Sequence, residues 1–106
     1  MDAERQKRLE ARARILKAVG NASRLLILEE LASGEKCVAD LTQAVGSDIS
    51  TVSKHLSLLK SVGLVKDDKR GNQVFYSLRC PCVLDFFTCV ETVLATSAHH
   101  RLQTLE

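Results

Sequence analysis

Between residues 49 and 62 the chain reads ISTVSKHLSLLKSV, and at about 100° per residue this segment divides into two unlike faces. Ile49, Val52, Leu56 and Leu59 share one narrow arc, which must face a core. Ser50, Ser53, Lys54 and Ser57 lie opposite, with Thr51 and His55 at one edge. Such a helix lies on a globular body and turns short hydroxyls and one lysine outward. A second short helical run, from about Val38 to Val45, precedes it across the turn Gly46-Ser47-Asp48. Gly63 follows it, where a residue free to adopt positive φ ends a helix well.

Two strands come next. Leu64-Val65-Lys66 and Val74-Phe75-Tyr76-Ser77-Leu78 read as a pair, with Asp67 to Asn72 between them as a polar loop of turn chemistry. Two short helices joined by a glycine turn and followed by a basic-tipped hairpin make a winged helix-turn-helix.

The flanks complete a mainly α (α+β) fold of about five helices with a β-hairpin wing. Residues 4 to 19 are helix formers, with Leu9, Ala13, Leu16 and Val19 at spacings of three and four. Gly20-Asn21 breaks this helix, and Asn21 or Ser23 caps the next, whose apolar set is Leu25, Leu26, Leu28 and Leu31. Ser33-Gly34-Glu35 ends it, and residues 35 to 38 suit a very short strand. Pro81 to Ala98 is a strongly apolar helix with proline in its first turn. The 106 residues are expected to form one domain: an N-terminal helix over 1–20, the helix-turn-helix over 38–62, the wing over 64–78 and a C-terminal helix over 81–98.

A domain this small buries only about 60–65% of its unfolded surface, so a partner subunit would add stability. The last helix invites one. Val83, Leu84, Phe86, Phe87, Val90, Val93 and Leu94 cover more than one of its faces, and the first helix, with Leu9, Leu16 and Val19, can complete an interface. A two-fold homodimer through the first and last helices is expected, its recognition helices about one DNA turn apart.

Charge is informative by position rather than in total. The net charge of +2 does not by itself announce nucleic-acid binding. Basic residues nevertheless cluster at Arg5, Lys7, Arg8, Arg12, Arg14 and Lys17, and again at Lys66, Lys69 and Arg70. Small side chains on the outer face of 49–62 let the helix sink between phosphates, where Ser50, Thr51, Ser53, Lys54, His55 and Ser57 can bond base edges or backbone oxygens. Lys69 and Arg70 on the wing then meet phosphate or the minor groove, and double-stranded operator DNA is the expected partner.

No apolar run approaches the roughly 20 residues of a membrane-spanning helix. The opening MDAERQKRLEARAR is too charged for a secretory signal, so the protein is expected to be cytoplasmic. Enzyme motifs are missing: there is no glycine-rich phosphate loop, no His-Glu-x-x-His and no Gly-x-Ser-x-Gly. His99-His100 reads as a solvated helix end.

The segment NASRLLILEELASGEKCVADLTQAVGSDISTVSKHLSLLKSVGLVKDDKRGNQVFYSL, Asn21 to Leu78, resembles the ArsR/SmtB repressors. The marks are Ser23-Arg24-Leu25, the run from Ser50 to Leu56, Leu58-Leu59-Lys60, Gly63-Leu64-Val65 and the closing Tyr76-Ser77-Leu78. The resemblance implies a homodimeric winged-helix repressor that leaves its operator when an inducer binds. Arsenite, cadmium, zinc or another thiophilic or redox signal is the usual inducer. One arsenic-sensing type in the family carries Cys-Val-Cys-Asp-Leu, whereas this chain has Cys37-Val38-Ala39-Asp40-Leu41, with the second thiol missing. The family's zinc positions on the last helix fall on Cys80 and Cys82 and then near Val93 and Thr96, which cannot bind metal.

The four cysteines are Cys37, Cys80, Cys82 and Cys89. Cys80-Pro81-Cys82 places two sulfurs where they can share one soft ion, and the short strand at Cys37 is expected to pair with the wing strand that ends at Leu78. Cys37, Cys80 and Cys82 are therefore the expected inducer site, three thiolates suited to As(III) or another thiophilic metal ion. Cys89 is expected in the core or the dimer interface, with a place across the two-fold axis as its other role. A disulfide switch involving Cys37, and a winged-helix module that senses nothing, are the alternatives.

Overall fold

The computed structural model describes the backbone of residues 1–105 and the side chains of residues 1–98. The side chains of His99 and His100 lie outside the described residues. Five helices and three strands follow in order: α1 (Ala3–Val19), α2 (Ala22–Leu31), β1 (Lys36–Cys37), α3 (Val38–Val45), α4 (Ile49–Ser61), β2 (Val65–Arg70), β3 (Gln73–Leu78) and α5 (Val83–Leu105). The strands form one antiparallel sheet in the order β1-β3-β2. The expected pairing of the short strand with the wing is present.

Local chemistry sets the boundaries. The Asn21 side chain accepts the Arg24 amide at 3.1 Å and starts α2, while Asp48 accepts the Thr51 amide at 2.7 Å and starts α4. Gly46, at φ 76°, ends α3. Past α4, Gly63 adopts φ 83° and donates its N–H to Lys60 O, while Leu64 donates to Leu59 O. These two bonds form a Schellman stop, and they turn the chain straight into β2.

The core lies between the helix-turn-helix and the sheet. Ile27 and Leu28 of α2, Leu41 of α3 and Val52, Leu56 and Leu59 of α4 are fully buried, with Val65, Tyr76 and Leu78 closing the sheet side. Val19 joins this core instead of the expected dimer face, because α1 turns its last residues inward against α2. Ile49 also departs from expectation: it shares the core arc but is 60% exposed. It is the first residue of α4, next to the Gly46–Asp48 turn, and so sits at the end of the buried stripe rather than within it.

Two other boundaries differ. Asp67 to Arg70 continue β2 in register with Tyr76 to Gln73, so the wing closes through Gly71-Asn72 alone, with φ 62° at Gly71. Pro81 precedes α5 rather than occupying its first turn. Val83, Leu84 and Asp85 donate to the carbonyls of Cys80, Pro81 and Cys82, a tight lead that hands over to the α-helix at Val83. Among the described residues no helix is long and apolar enough to cross a membrane.

Candidate nucleic-acid interface

The buried stripe of α4 fixes what its other side presents. Val52, Leu56 and Leu59 are inaccessible to solvent, so Ser50, Ser53, Lys54 and Ser57 stand exposed on the opposite face, with Thr51 and His55 half-buried at its edge. Asp48 organises the start of this helix. It accepts from Ser50 Oγ at 2.8 Å as well as from the Thr51 amide, and these bonds hold its carboxyl below the usual carboxylate range. Ser50 thus has its hydroxyl proton committed before any ligand arrives.

His55 is anchored through a residue whose role spacing alone did not reveal. Arg24 of α2 donates Nε to Ala18 O and Nη2 to Lys17 O, and its Nη1 lies 3.2 Å from His55 Nδ1. One guanidinium therefore joins the end of α1, the start of α2 and the middle of α4. Its signal in the sequence was a lone arginine in the first turn of an apolar helix.

The wing carries Lys66, Lys69 and Arg70, all exposed, interleaved with Asp67 and Asp68. Lys60 at the end of α4 pairs with Asp67 at 3.0 Å and fixes the wing's base to the recognition helix. Tyr76, opposite Asp67 in the ladder, has its phenol pushed up by burial and by that carboxylate. Arg70 is not free: it forms ion pairs with Glu35 and Asp68, which raise its guanidinium still further above its ordinary range.

The thiols are arranged differently from the expected set. Cys37 is buried, whereas Cys80, Cys82 and Cys89 are exposed. Cys37 pairs with Phe75, and the antiparallel register runs away from Cys80. The strand from Phe75 to Leu78 alone spans about 10 Å. Thiolates sharing one ion, each at about 2.3 Å from it, sit far closer together than that. The protomer therefore does not bring Cys37 to Cys80 or Cys82, and the same separation exceeds the ~7 Å Cα limit for a disulfide. Among the described residues no group of three or more His, Cys, Asp or Glu side chains is gathered to hold a metal. Cys80 Sγ lies 3.7 Å from Gly63 O, beside the turn that ends α4.

Residues 21–67 match the family described as bacterial regulatory protein, arsR family. The chain is 38% identical over 85 residues to the HTH-type transcriptional regulator Rv0324 of Mycobacterium tuberculosis, covering 80% of this chain and 38% of that protein. It is 40% identical over 67 residues to a cadmium resistance transcriptional regulatory protein CadC homolog of Staphylococcus aureus, covering 62% of this chain and 55% of that protein. It thus spans about half the length of these relatives, or less. The homodimeric winged helix-turn-helix DNA-binding domain of Mb0332 from Mycobacterium bovis, a possible ArsR-family regulator solved by NMR, superposes with a TM-score of 0.79 at 33% identity. That likeness covers 94% of this chain and 93% of the domain. With its helix-turn-helix, wing and flanking helices shared along nearly that whole length, the chain belongs to the ArsR family of transcriptional regulators.

Proposed function

We propose that this cytoplasmic regulator represses transcription as a homodimer on double-stranded operator DNA and leaves it when a thiophilic ion, arsenite in the first instance, binds cysteine thiolates. The observation that carries the DNA reading is α4 itself, whose exposed hydroxyl and lysine face lies opposite three fully buried side chains and beside a basic wing. Ser50, Thr51, Ser53, Lys54, His55 and Ser57 enter the major groove, and Lys69 and Arg70 reach phosphate from the wing.

Exposed apolar side chains support the dimer. Phe86, Val90, Val93 and Leu94 of α5 and Leu9 and Leu16 of α1 are each at least 39% exposed. A groove of about 830 Å³ between α1, α2 and α5 lies open beside Leu16, Leu25, Phe86 and Val90. The Mb0332 domain, which this chain resembles along nearly its whole length, is homodimeric.

Exposure of Cys80 and Cys82, at the junction of wing and α5, makes this pair the receiving thiols. Each As–S bond forms as an As–OH bond breaks, and the thiol proton leaves with the hydroxyl as water. The third thiolate comes from Cys37, if β1 shifts, or from the partner's Cys89, which lies in the apolar stripe of α5 with Phe86 and Val93. The cadmium resistance name of the Staphylococcus aureus relative supports a thiophilic inducer. The inducer must bind the low-affinity dimer more tightly than the DNA-binding one, since only differential binding shifts the equilibrium.

Fluorescence anisotropy of the reduced protein on its own upstream duplex, titrated with arsenite at fixed salt, tests this reading. Release near one equivalent per site, abolished by Cys82→Ser, is expected. Cys37→Ser and Cys89→Ser identify the third thiol. Tight binding that arsenite leaves undisturbed would remove the arsenite claim, and cadmium, zinc and oxidants would be the next titrants.

A further inference from the structure

The arginine at the tip of the wing is already occupied. Arg70 donates from Nη1 to Glu35 Oε1 at 2.6 Å and from Nη2 to Glu35 Oε2 at 2.9 Å, and its Nε donates to Asp68 Oδ2 at 2.9 Å. Its guanidinium lies 4.8 Å from the centre of the Phe75 ring. Arg70 belongs to β2 and Glu35 directly precedes β1, on opposite edges of a sheet whose middle strand carries Phe75. The side chain therefore crosses the whole sheet, and it fastens the wing tip to the lead-in of α3.

This arrangement neutralises the part of the wing that should be most attractive to DNA. Arg70 is matched by Glu35 and Asp68, whereas Lys66 and Lys69 form no ion pair among the described residues. Neither Glu35 nor Asp68 makes another side-chain hydrogen bond among the described residues. The side chains of Arg70, Glu35 and Asp68 are 49%, 43% and 61% exposed, so an incoming phosphate can reach the cluster from solvent. The two non-bridging oxygens of a phosphodiester can accept from the guanidinium fork in pairs, as the two carboxylate oxygens do.

We propose that Glu35 and Asp68 are positioning residues for DNA binding, which hold Arg70 off the duplex in the free protein and release it to a phosphate when the wing docks. The exchange rests on the DNA-binding reading given above. Because salt weakens the internal ion pairs as well as the phosphate contact, the wild-type protein has a shallower dependence of affinity on salt than a protein whose Arg70 is free. An isolated anion cannot displace two carboxylates at once, whereas a duplex already held by α4 delivers its phosphate at high local concentration.

A double-mutant cycle on the full chain tests this, with anisotropy on the upstream duplex read across a salt series. Glu35→Gln is expected to tighten binding about three- to fivefold at low salt, the upper range for an exposed ion pair, and to steepen the salt slope. In an Arg70→Ala background the same change is expected to shift affinity by less than about twofold. Asp68→Asn provides a second variant with the same expected pattern, and circular dichroism confirms that each variant folds. An equal gain from Glu35→Gln in both backgrounds overturns the proposal, because the carboxylate would then act only as a nearby negative charge. Weakened or unchanged binding on Glu35→Gln in the otherwise wild-type protein, with Arg70 intact, overturns it too, and makes the pair a strut. A wild-type protein that binds duplex at no salt concentration removes the DNA-binding reading and this proposal together.

Discussion

Arg24 Nη1 lies 3.2 Å from Nδ1 of His55, thirty-one residues further along the chain. An arginine can only donate, so Nδ1 accepts and the ring proton resides on Nε2. His55 is thereby oriented by α2 and keeps one donor at the edge of the outward face of α4. The same guanidinium bonds the Ala18 carbonyl at the end of α1 and the Lys17 carbonyl, which also accepts the Gly20 amide.

Arg24→Met keeps the aliphatic stem and removes all three contacts. It is expected to destabilise the fold by about 1.5–3 kcal/mol, the range for hydrogen bonds to a charged group. Urea denaturation at fixed protein concentration should show a lower midpoint with an unchanged slope. Arg24→Lys should not restore stability, since one ammonium cannot reach two carbonyls and an imidazole in the geometry of the planar fork.

Phe86 and Val93 stand on the uncovered side of α5 at 41% and 63% exposure. A Phe86→Glu, Val93→Glu double variant is expected to convert the proposed dimer to a monomer of 11.7 kDa, measured by light scattering after size exclusion. Affinity for a two-half-site operator should fall by more than a hundredfold while affinity for a single half-site changes little, because the lost term is the linkage of two reading heads. An unchanged mass would show that these side chains are covered by something other than a second copy.

Lys54 is the one lysine on the outward face of α4, and it separates positioning from reading. Lys54→Ala is expected to weaken binding to specific and mismatched duplexes alike and to reduce the salt slope by about one if it neutralises a phosphate. If it contacts a base, discrimination at one position should instead relax by about 1–3 kcal/mol. Ser53→Ala, with no charge to lose, should leave the slope unchanged in either case.

Most of the fold was legible because its signals are local. The α3 and α4 boundaries follow from apolar period, the Gly46 turn and the stop at Gly63. The misread strand is equally physical: Asp67 to Arg70 are polar because they line the exposed edge of the hairpin, and an exposed edge strand has the composition of a loop. The site was legible only in part. Which face of α4 points outward is a matter of periodicity, but the separation of Cys37 from Cys80 depends on the β1–β3 register, which no spacing along the chain encodes. Glu35 and Arg70 meet for a related reason: the sheet order β1-β3-β2 sets them on either side of β3, within reach of the long arginine side chain.

Asp48 provides a pH signature for the start of the recognition helix. Its carboxyl is held below its ordinary pKa, chiefly by the Thr51 amide and next by the Ser50 hydroxyl. A depressed folded-state pKa contributes stability that is fully present above the unfolded value, near 3.8, and is lost as pH falls through the folded value. Asp48→Asn keeps a capping oxygen without the charge, so it isolates this term. Above about pH 5 the wild-type protein is expected to melt a few degrees higher than Asp48→Asn, and the two melting curves should converge as the pH is lowered below 3.8. The sign is set by the helix itself, whose unpaired N-terminal amides favour an anion over a neutral amide at this position. A difference in Tm that persisted unchanged down to pH 2 would show that the carboxylate's charge contributes nothing and that packing at residue 48 accounts for it.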